Sequence, residues 1–257
     1  MRALHGLIGR IDGPIPVAEV ARALDIVEVL ECPLDGCEGV LLTDRTRKNG
    51  SILVNNKRGA QAARFSIAHE LGHFLLERHV LGLEDGMVCT VRDLRESRTM
   101  RQHNKQEVEA NEFAIGLLVP GYAAAATLNA DPEIEAAVQV QKRFDISLEA
   151  ATRCLVERHE EPLAAVWAKD GVIRYVVRGP RFPWITWKAG QRLPALSRTP
   201  RYLAAGSSGI SAMGEVAPAA WTQSDIPELF EQARIGKDGR SLTLLWATLP
   251  EAEDGEE

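Results

Sequence analysis

No apolar run in this 257-residue chain approaches the roughly 20 residues needed to span a bilayer. The opening stretch, MRALHGLIGRIDGPIPV, lacks the long apolar core and small-residue cleavage site of a secretory signal. Cysteine is scarce. Cys32, Cys37, Cys89 and Cys154 form no C-x-x-C pair and no dense framework, which excludes a disulfide-stapled fold. These absences together read as a cytoplasmic protein with reduced thiols. An excess of positive charge is also missing. The formal net charge is -6, which gives no general attraction to nucleic acid or anionic membrane and argues against direct nucleic-acid binding. There is no internal repeat and no G-x-x-x-x-G-K-[ST] phosphate loop. What is left is an ordinary globular composition, long enough for one large domain or two small ones.

The stretch that carries chemistry is RFSIAHELGHFLLE, residues 64–77. It contains an H-E-x-x-H motif, His69-Glu70-Leu71-Gly72-His73. On a helix, positions i and i+4 lie one turn apart on one face, so both imidazoles can reach one metal ion. Glu70 sits beside that face, within reach of a water on the metal. The flanking residues Phe65, Ile67, Ala68, Leu71, Phe74, Leu75 and Leu76 are apolar. Burying two histidines and a glutamate among them costs about 1–3 kcal/mol for each polar group left unpaired, and a metal removes that cost. The competing reading is a pair of ordinary core histidines.

Upstream, residues 16–25 predict a short helix opened by a proline. Residues 27–34, 39–44 and 51–56 predict three strands with turn chemistry at Asp35-Gly36 and Lys48-Asn49-Gly50. They make a small, largely antiparallel sheet just before the H-E-x-x-H helix. The strand Ser51-Ile52-Leu53-Val54-Asn55 is the candidate edge on which an extended substrate peptide could pair.

Downstream, residues 78–104 are charged and irregular and read as a long loop. Its arginines Arg92, Arg95, Arg98 and Arg101 are expected to face water, and His79 and His103 to lie on the surface. Cys89 reads as a small buried hydrophobe, with a thiolate that closes the metal site as the alternative. Residues 105–120 predict a helix ended by Pro120. Glu107 and Asn111 share one of its faces at i and i+4. Catalytic zinc usually has three protein ligands and an open position, so Glu107 is the candidate third ligand. Asn111 can accept from the distal N–H of a ligating histidine and fix its tautomer. Glu109 and Glu112 are expected to face solvent. Residues 121–160 read as helices, with a break at Asp145-Ile146-Ser147. The resulting helix-turn-helix has few base-reading side chains, which favours packing over DNA contact.

The polar join at 158–162 sets a boundary, giving regions 1–160 and 161–250. In the second region, strands flank Asp170-Gly171, a strong hairpin signal, and a late strand spans 239–249. Residues 228–234, ELFEQAR, read as a short helix and 204–214 as a flexible loop. All five tryptophans lie here, and Trp184 and Trp187 are expected in the core, with a ligand pocket as the alternative. The acidic tail, 251–257, reads as disordered.

Two signatures occur in order: SILVNN followed by RFSIAHELGHFLL, then EVEANEFAIGLLVP. Together they resemble the ImmA/IrrE family of metallopeptidases over roughly residues 15–155. The resemblance implies an α+β, zincin-like first domain, here with a smaller α+β domain after it. It implies zinc on His69, His73 and Glu107, and Glu70 as the catalytic residue; manganese is the alternative metal, because His and carboxylate ligands accept both. It also implies cleavage of a helix-turn-helix repressor in a stress or mobile-element response. No DNA-binding region is recognisable in the chain, so the repressor is expected to be separately encoded. For the oxyanion, His103 and Tyr122 are the candidate donors nearest in sequence. Two other readings compete: a binding module that sequesters a repressor without cutting it, and a regulator whose second domain senses a small molecule.

Overall fold

The computed structural model describes residues 1–80, 86–89 and 102–250, with the backbone alone for residues 2, 86–89 and 102–104. The chain divides into two compact units. One comprises Met1–Ala125 with Val140–Ser147, the other Ala126–Gln139 with Leu148–Glu257.

The first unit opens with two short helices, α1 (Arg2–Ile8) and α2 (Val17–Arg22). Strands β1 (Ile26–Cys32), β2 (Gly39–Thr43), β3 (Gly50–Asn55) and β4 (Gly86–Cys89) form a four-stranded sheet in the order β1-β3-β2-β4. Its β2–β3 and β2–β4 pairs are antiparallel, and β1–β3 is parallel. The order corrects one expectation. The strand over residues 51–55 is not a free edge, because β3 is hydrogen-bonded to β1 on one side and β2 on the other. Ile52 and Val54 are both fully buried on one face, a pattern that an edge and an interior strand share, so the pairing on both sides decides. Among the described residues the edges belong to β1 and β4.

Helix α3 (Ala60–Leu75) packs against β2 and β3. It starts after Gly59, which takes φ 89, and runs through good helix formers without a proline or an internal β-branched pair. It is enclosed on nearly all sides, with every residue from Ser66 to Phe74 buried. Its last carbonyls need donors, and Arg47 supplies them. The Arg47 guanidinium donates to the carbonyls of His73 (2.9 Å), Phe74 (3.1 Å) and Leu76 (2.8 Å), and also to that of His79. Helix α4 (Gln102–Leu118) lies along α3. Gly72 permits the approach: a Cβ there would stand 3.1 Å from the Phe113 ring.

Three more helices follow, α5 (Gly121–Leu128), α6 (Ile134–Phe144) and α7 (Leu148–Arg158), as the sequence predicts for 121–160. The break between α6 and α7 includes Asp145 at φ 49. Its carboxylate accepts from Gln61 (2.9 Å) and Arg64 (2.9 Å) on α3.

In the second unit α7 packs against β5 (Leu163–Lys169) and β6 (Val172–Arg178). These two strands form the expected hairpin, with Asp170 and Gly171 at φ 51 and 75 as its turn. After α8 (Thr199–Ala204) come β7 (Gly209–Ile210), β8 (Gly214–Val216), β9 (Leu229–Ile235) and β10 (Arg240–Ala247). The sheet order is β6-β5-β10-β9-β7, with β8 also on β9 and every pair antiparallel. Residues 228–234 are therefore mostly strand, not helix. Helix-favouring Glu, Leu, Gln and Ala are overridden by pairing with β10 along the whole length of β9. The 204–214 stretch is likewise partly ordered, through β7 and the bond from the Ala233 amide to Ser211 Oγ (3.0 Å).

The core of this unit gathers Trp221, Phe182, Leu229 and Leu245, with Trp187 packed against it. Trp184 departs from the expected core placement: it is 65% exposed, with the Arg178 guanidinium 5.7 Å from its ring centre. The mixed α+β architecture, two small sheets with several helices, matches the expected class. No helix among the described residues is long and apolar enough to cross a membrane.

Candidate metal centre

Helices α3 and α4 bring three side chains to one point. The Nε2 atoms of His69 and His73 lie 3.0 Å apart. From Glu107, Oε2 is 3.2 Å from His69 Nε2 and Oε1 is 3.4 Å from His73 Nε2. All three residues are buried and form a group that can hold a metal ion. The separations themselves test the fit. A tetrahedral ion with bonds of about 2.0–2.1 Å has donor–donor edges of about 3.3 Å. Two imidazole nitrogens and a carboxylate are also the donor set of a catalytic zinc site.

The electrostatics agree. Burial opposes the charge on Glu107, yet the adjoining imidazoles of His69 and His73 hold its pKa down at about 2. Burial drives His73 to about 4, against the pull of Glu107. Burial also lowers His69, but hydrogen bonding to Glu107 and the charges of Glu70 and Glu107 outweigh it and raise the pKa overall. The centre thus gathers a carboxylate charge between two imidazoles, an environment that suits a bound cation.

Behind the cluster, His69 Nδ1 lies 3.0 Å from Asn111 Oδ1. His73 Nδ1 lies 2.9 Å from His79 Nδ1, and His79 Nε2 lies 3.0 Å from Glu109 Oε2. Glu109 also accepts from Arg78 Nε at 2.8 Å. Two expectations are corrected here. His79 is 2% exposed rather than a surface residue, and Glu109 is paired instead of facing solvent freely. Neither could be found by helical spacing. His79 lies in the turn after α3, and its position depends on the Arg47 contact. Glu112 is exposed, as expected.

Glu70 is fully buried beside the cluster. A Cβ on Gly39, at the start of β2, would stand 2.3 Å from Glu70 Oε1. Only glycine leaves the carboxylate that space, a contact the sequence does not reveal.

Tyr122 is engaged elsewhere. Its hydroxyl donates to the Ile11 carbonyl (3.2 Å) and accepts from the Ile11 amide (3.0 Å). His103 lies on α4, but its side chain is outside the described residues, as are the side chain of Cys89 and all of Arg92, Arg95, Arg98, Arg101 and the 251–257 tail. In the second unit, Asp170, Gly171, Arg192, Leu193, Pro200, Leu203 and Gly239 line an open cavity of about 360 Å³. No tryptophan contributes to it.

No curated protein sequence matches the chain. Among solved structures, a Mycobacterium tuberculosis transcriptional regulator is similar, with a TM-score of 0.54 and 13% identity over 99% of this chain and 91% of that one. This likeness is one of fold. The model of the Peptidase M78 family, described as the IrrE N-terminal-like domain, matches residues 25–155, a span that includes both H-E-x-x-H histidines, Glu107 and Asn111, and the chain belongs to that metallopeptidase-type family.

Proposed function

We propose that the chain is a zinc-dependent endopeptidase, with manganese as the alternative metal, that cuts a separately encoded helix-turn-helix repressor. The observation that carries this reading is the convergence of His69 Nε2, His73 Nε2 and the Glu107 carboxylate beside a buried Glu70. His69, His73 and Glu107 would hold the ion. When bound, the ion supplies Lewis-acid activation of water and of the scissile carbonyl. Glu70 takes the proton from the attacking water and hands it to the leaving amine, and its burial keeps that proton from exchanging with bulk solvent. Asn111 orients the His69 ring by accepting from Nδ1.

An extended substrate needs an open strand. Strand β4 meets that need better than β3, because it pairs with β2 at Gly39, the residue against Glu70. Repressor cleavage in the cytoplasm during a stress or mobile-element response rests on the family resemblance. Within the same reading, residues 161–250 form an input domain, and the compact unit that contains them also takes in Ala126–Gln139 and the chain from Leu148, so a boundary after Glu160 cuts through that unit. Its cavity, with Arg192 and Asp170 in the lining, is where a small regulatory ligand would bind.

The test is elemental analysis of wild type, Glu107→Ala and Glu70→Gln, each dialysed against zinc or manganese. Wild type and Glu70→Gln should hold about one ion per chain and Glu107→Ala far less. In cells, new protein N-termini should appear with wild type and vanish with Glu70→Gln. A wild-type chain that takes up neither metal would remove the peptidase reading. A Glu70→Gln chain that still relieves repression would favour sequestration without cleavage.

A further inference from the structure

We infer that His79 and Glu109 are positioning residues: they form a relay that fixes which nitrogen of His73 carries its proton, and so keeps Nε2 bare toward the metal position. The inference rests on the metallopeptidase reading above and assigns to it two residues that the H-E-x-x-H spacing does not reach.

The relay runs inward from the surface. Glu109 Oε2 accepts from Arg78 Nε at 2.8 Å, so it is a carboxylate, which only accepts. His79 Nε2, 3.0 Å away, must therefore donate to it. With one proton on its ring, His79 then presents a lone pair at Nδ1. That atom lies 2.9 Å from His73 Nδ1. Two lone pairs cannot face each other at that distance, so His73 Nδ1 donates. With its proton held there, His73 Nε2 has a lone pair aimed at His69 Nε2 and Glu107. Without the Glu109 acceptor, His79 could put its proton on Nδ1. His73 would then have to carry its own on Nε2, where a metal must bind.

The relay is built into the fold. His79 is 2% exposed. Its amide donates to the Leu76 carbonyl at 2.8 Å, and its own carbonyl accepts from Arg47, which also holds the end of α3.

Two measurements test it. In metal-free wild type, long-range ¹H–¹⁵N spectra of the histidine rings should show the His73 proton on Nδ1. Zinc affinity, read by competition with a chromophoric chelator, should fall about 10–100-fold in His79→Leu. His79→Asn should recover most of it, since the Asn side-chain oxygen can take the place of Nδ1. Glu109→Leu should weaken zinc in the same direction and Glu109→Gln less so. The variants at 109 alter only the outer end of the relay. A His73 proton on Nε2 in metal-free wild type overturns the inference. So does undiminished zinc affinity in His79→Leu, or an Asn variant as weak as the Leu variant. If wild type binds no zinc, the peptidase reading fails, and the ring spectra of the metal-free protein still decide the relay.

Discussion

Gly39 has no side chain because the Glu70 carboxylate occupies the space one would need. A Cβ at 2.3 Å from Oε1 lies well inside van der Waals contact, and Glu70, fully buried, has little room to yield. Gly39→Ala should therefore move the carboxylate while His69, His73 and Glu107 stay in place. Metal content should match wild type, and cleavage should fall by about 10²-fold, the usual effect of displacing a reacting group by about 1 Å. Paired elemental analysis and N-terminal mapping of products check this. Full activity would mean that Glu70 is not the proton carrier. At this scale the sequence exposes what regular spacing encodes. The two histidines at i and i+4, and Glu107 with Asn111 at i and i+4, are readable because a helix repeats every 3.6 residues. Gly39, His79 and Glu109 are not readable, because each acts across a tertiary contact with no period of its own.

Helix α3 packs against α2, α4, β2 and β3, and its C-terminal end depends on one side chain from a turn. Arg47 sits at φ 50 in the β2–β3 connection, and its guanidinium holds four carbonyls from His73 to His79. Arg47→Ala leaves them without that donor. It should destabilise the first unit by about 1–3 kcal/mol, or several degrees in a thermal melt for a chain of this size. Arg47→Lys should not restore the loss, because an ammonium cannot span the fork that the guanidinium fills. A melt unchanged in Arg47→Ala would show that solvent caps the helix equally well. Elements differ in how far the sequence discloses them. Strands β5 and β6 are plain from alternation around Asp170-Gly171. Strand β9 is hidden, because its residues favour a helix and only pairing with β10 makes them extended. Likewise, β3 alternates like an edge or an interior strand, and only the sheet order decides between them.

At the scale of the molecule, each of the two units carries its own probe. His69, His73 and Glu107 all belong to the first unit, and all five tryptophans belong to the second. The two longest helices, α3 with 16 residues and α4 with 17, lie in the first unit, so the far-UV CD signal is weighted toward it. Indole fluorescence reports the second unit alone. That unit has a buried polar anchor of its own, the Glu231 carboxylate on β9. Oε1 accepts from Ser197 Oγ (2.9 Å), the Thr199 amide (2.8 Å) and Thr199 Oγ1 (2.8 Å), and Oε2 accepts from Trp221 Nε1 (3.1 Å). Glu231→Gln keeps the shape but turns an amide N–H toward one of these donors, at a cost of about 1–3 kcal/mol. Metal acts on the other unit, stabilising whatever binds it by about 4 kcal/mol at a thousandfold excess over Kd. If the units unfold independently, a chelator should lower the CD transition and leave the fluorescence transition in place, while Glu231→Gln should do the reverse. Two probes that shift together under both treatments would mean that the chain unfolds as one cooperative body. Metal occupancy would then govern the stability of residues 161–250 as well, and a ligand bound there would raise the melting transition of the metal centre with it.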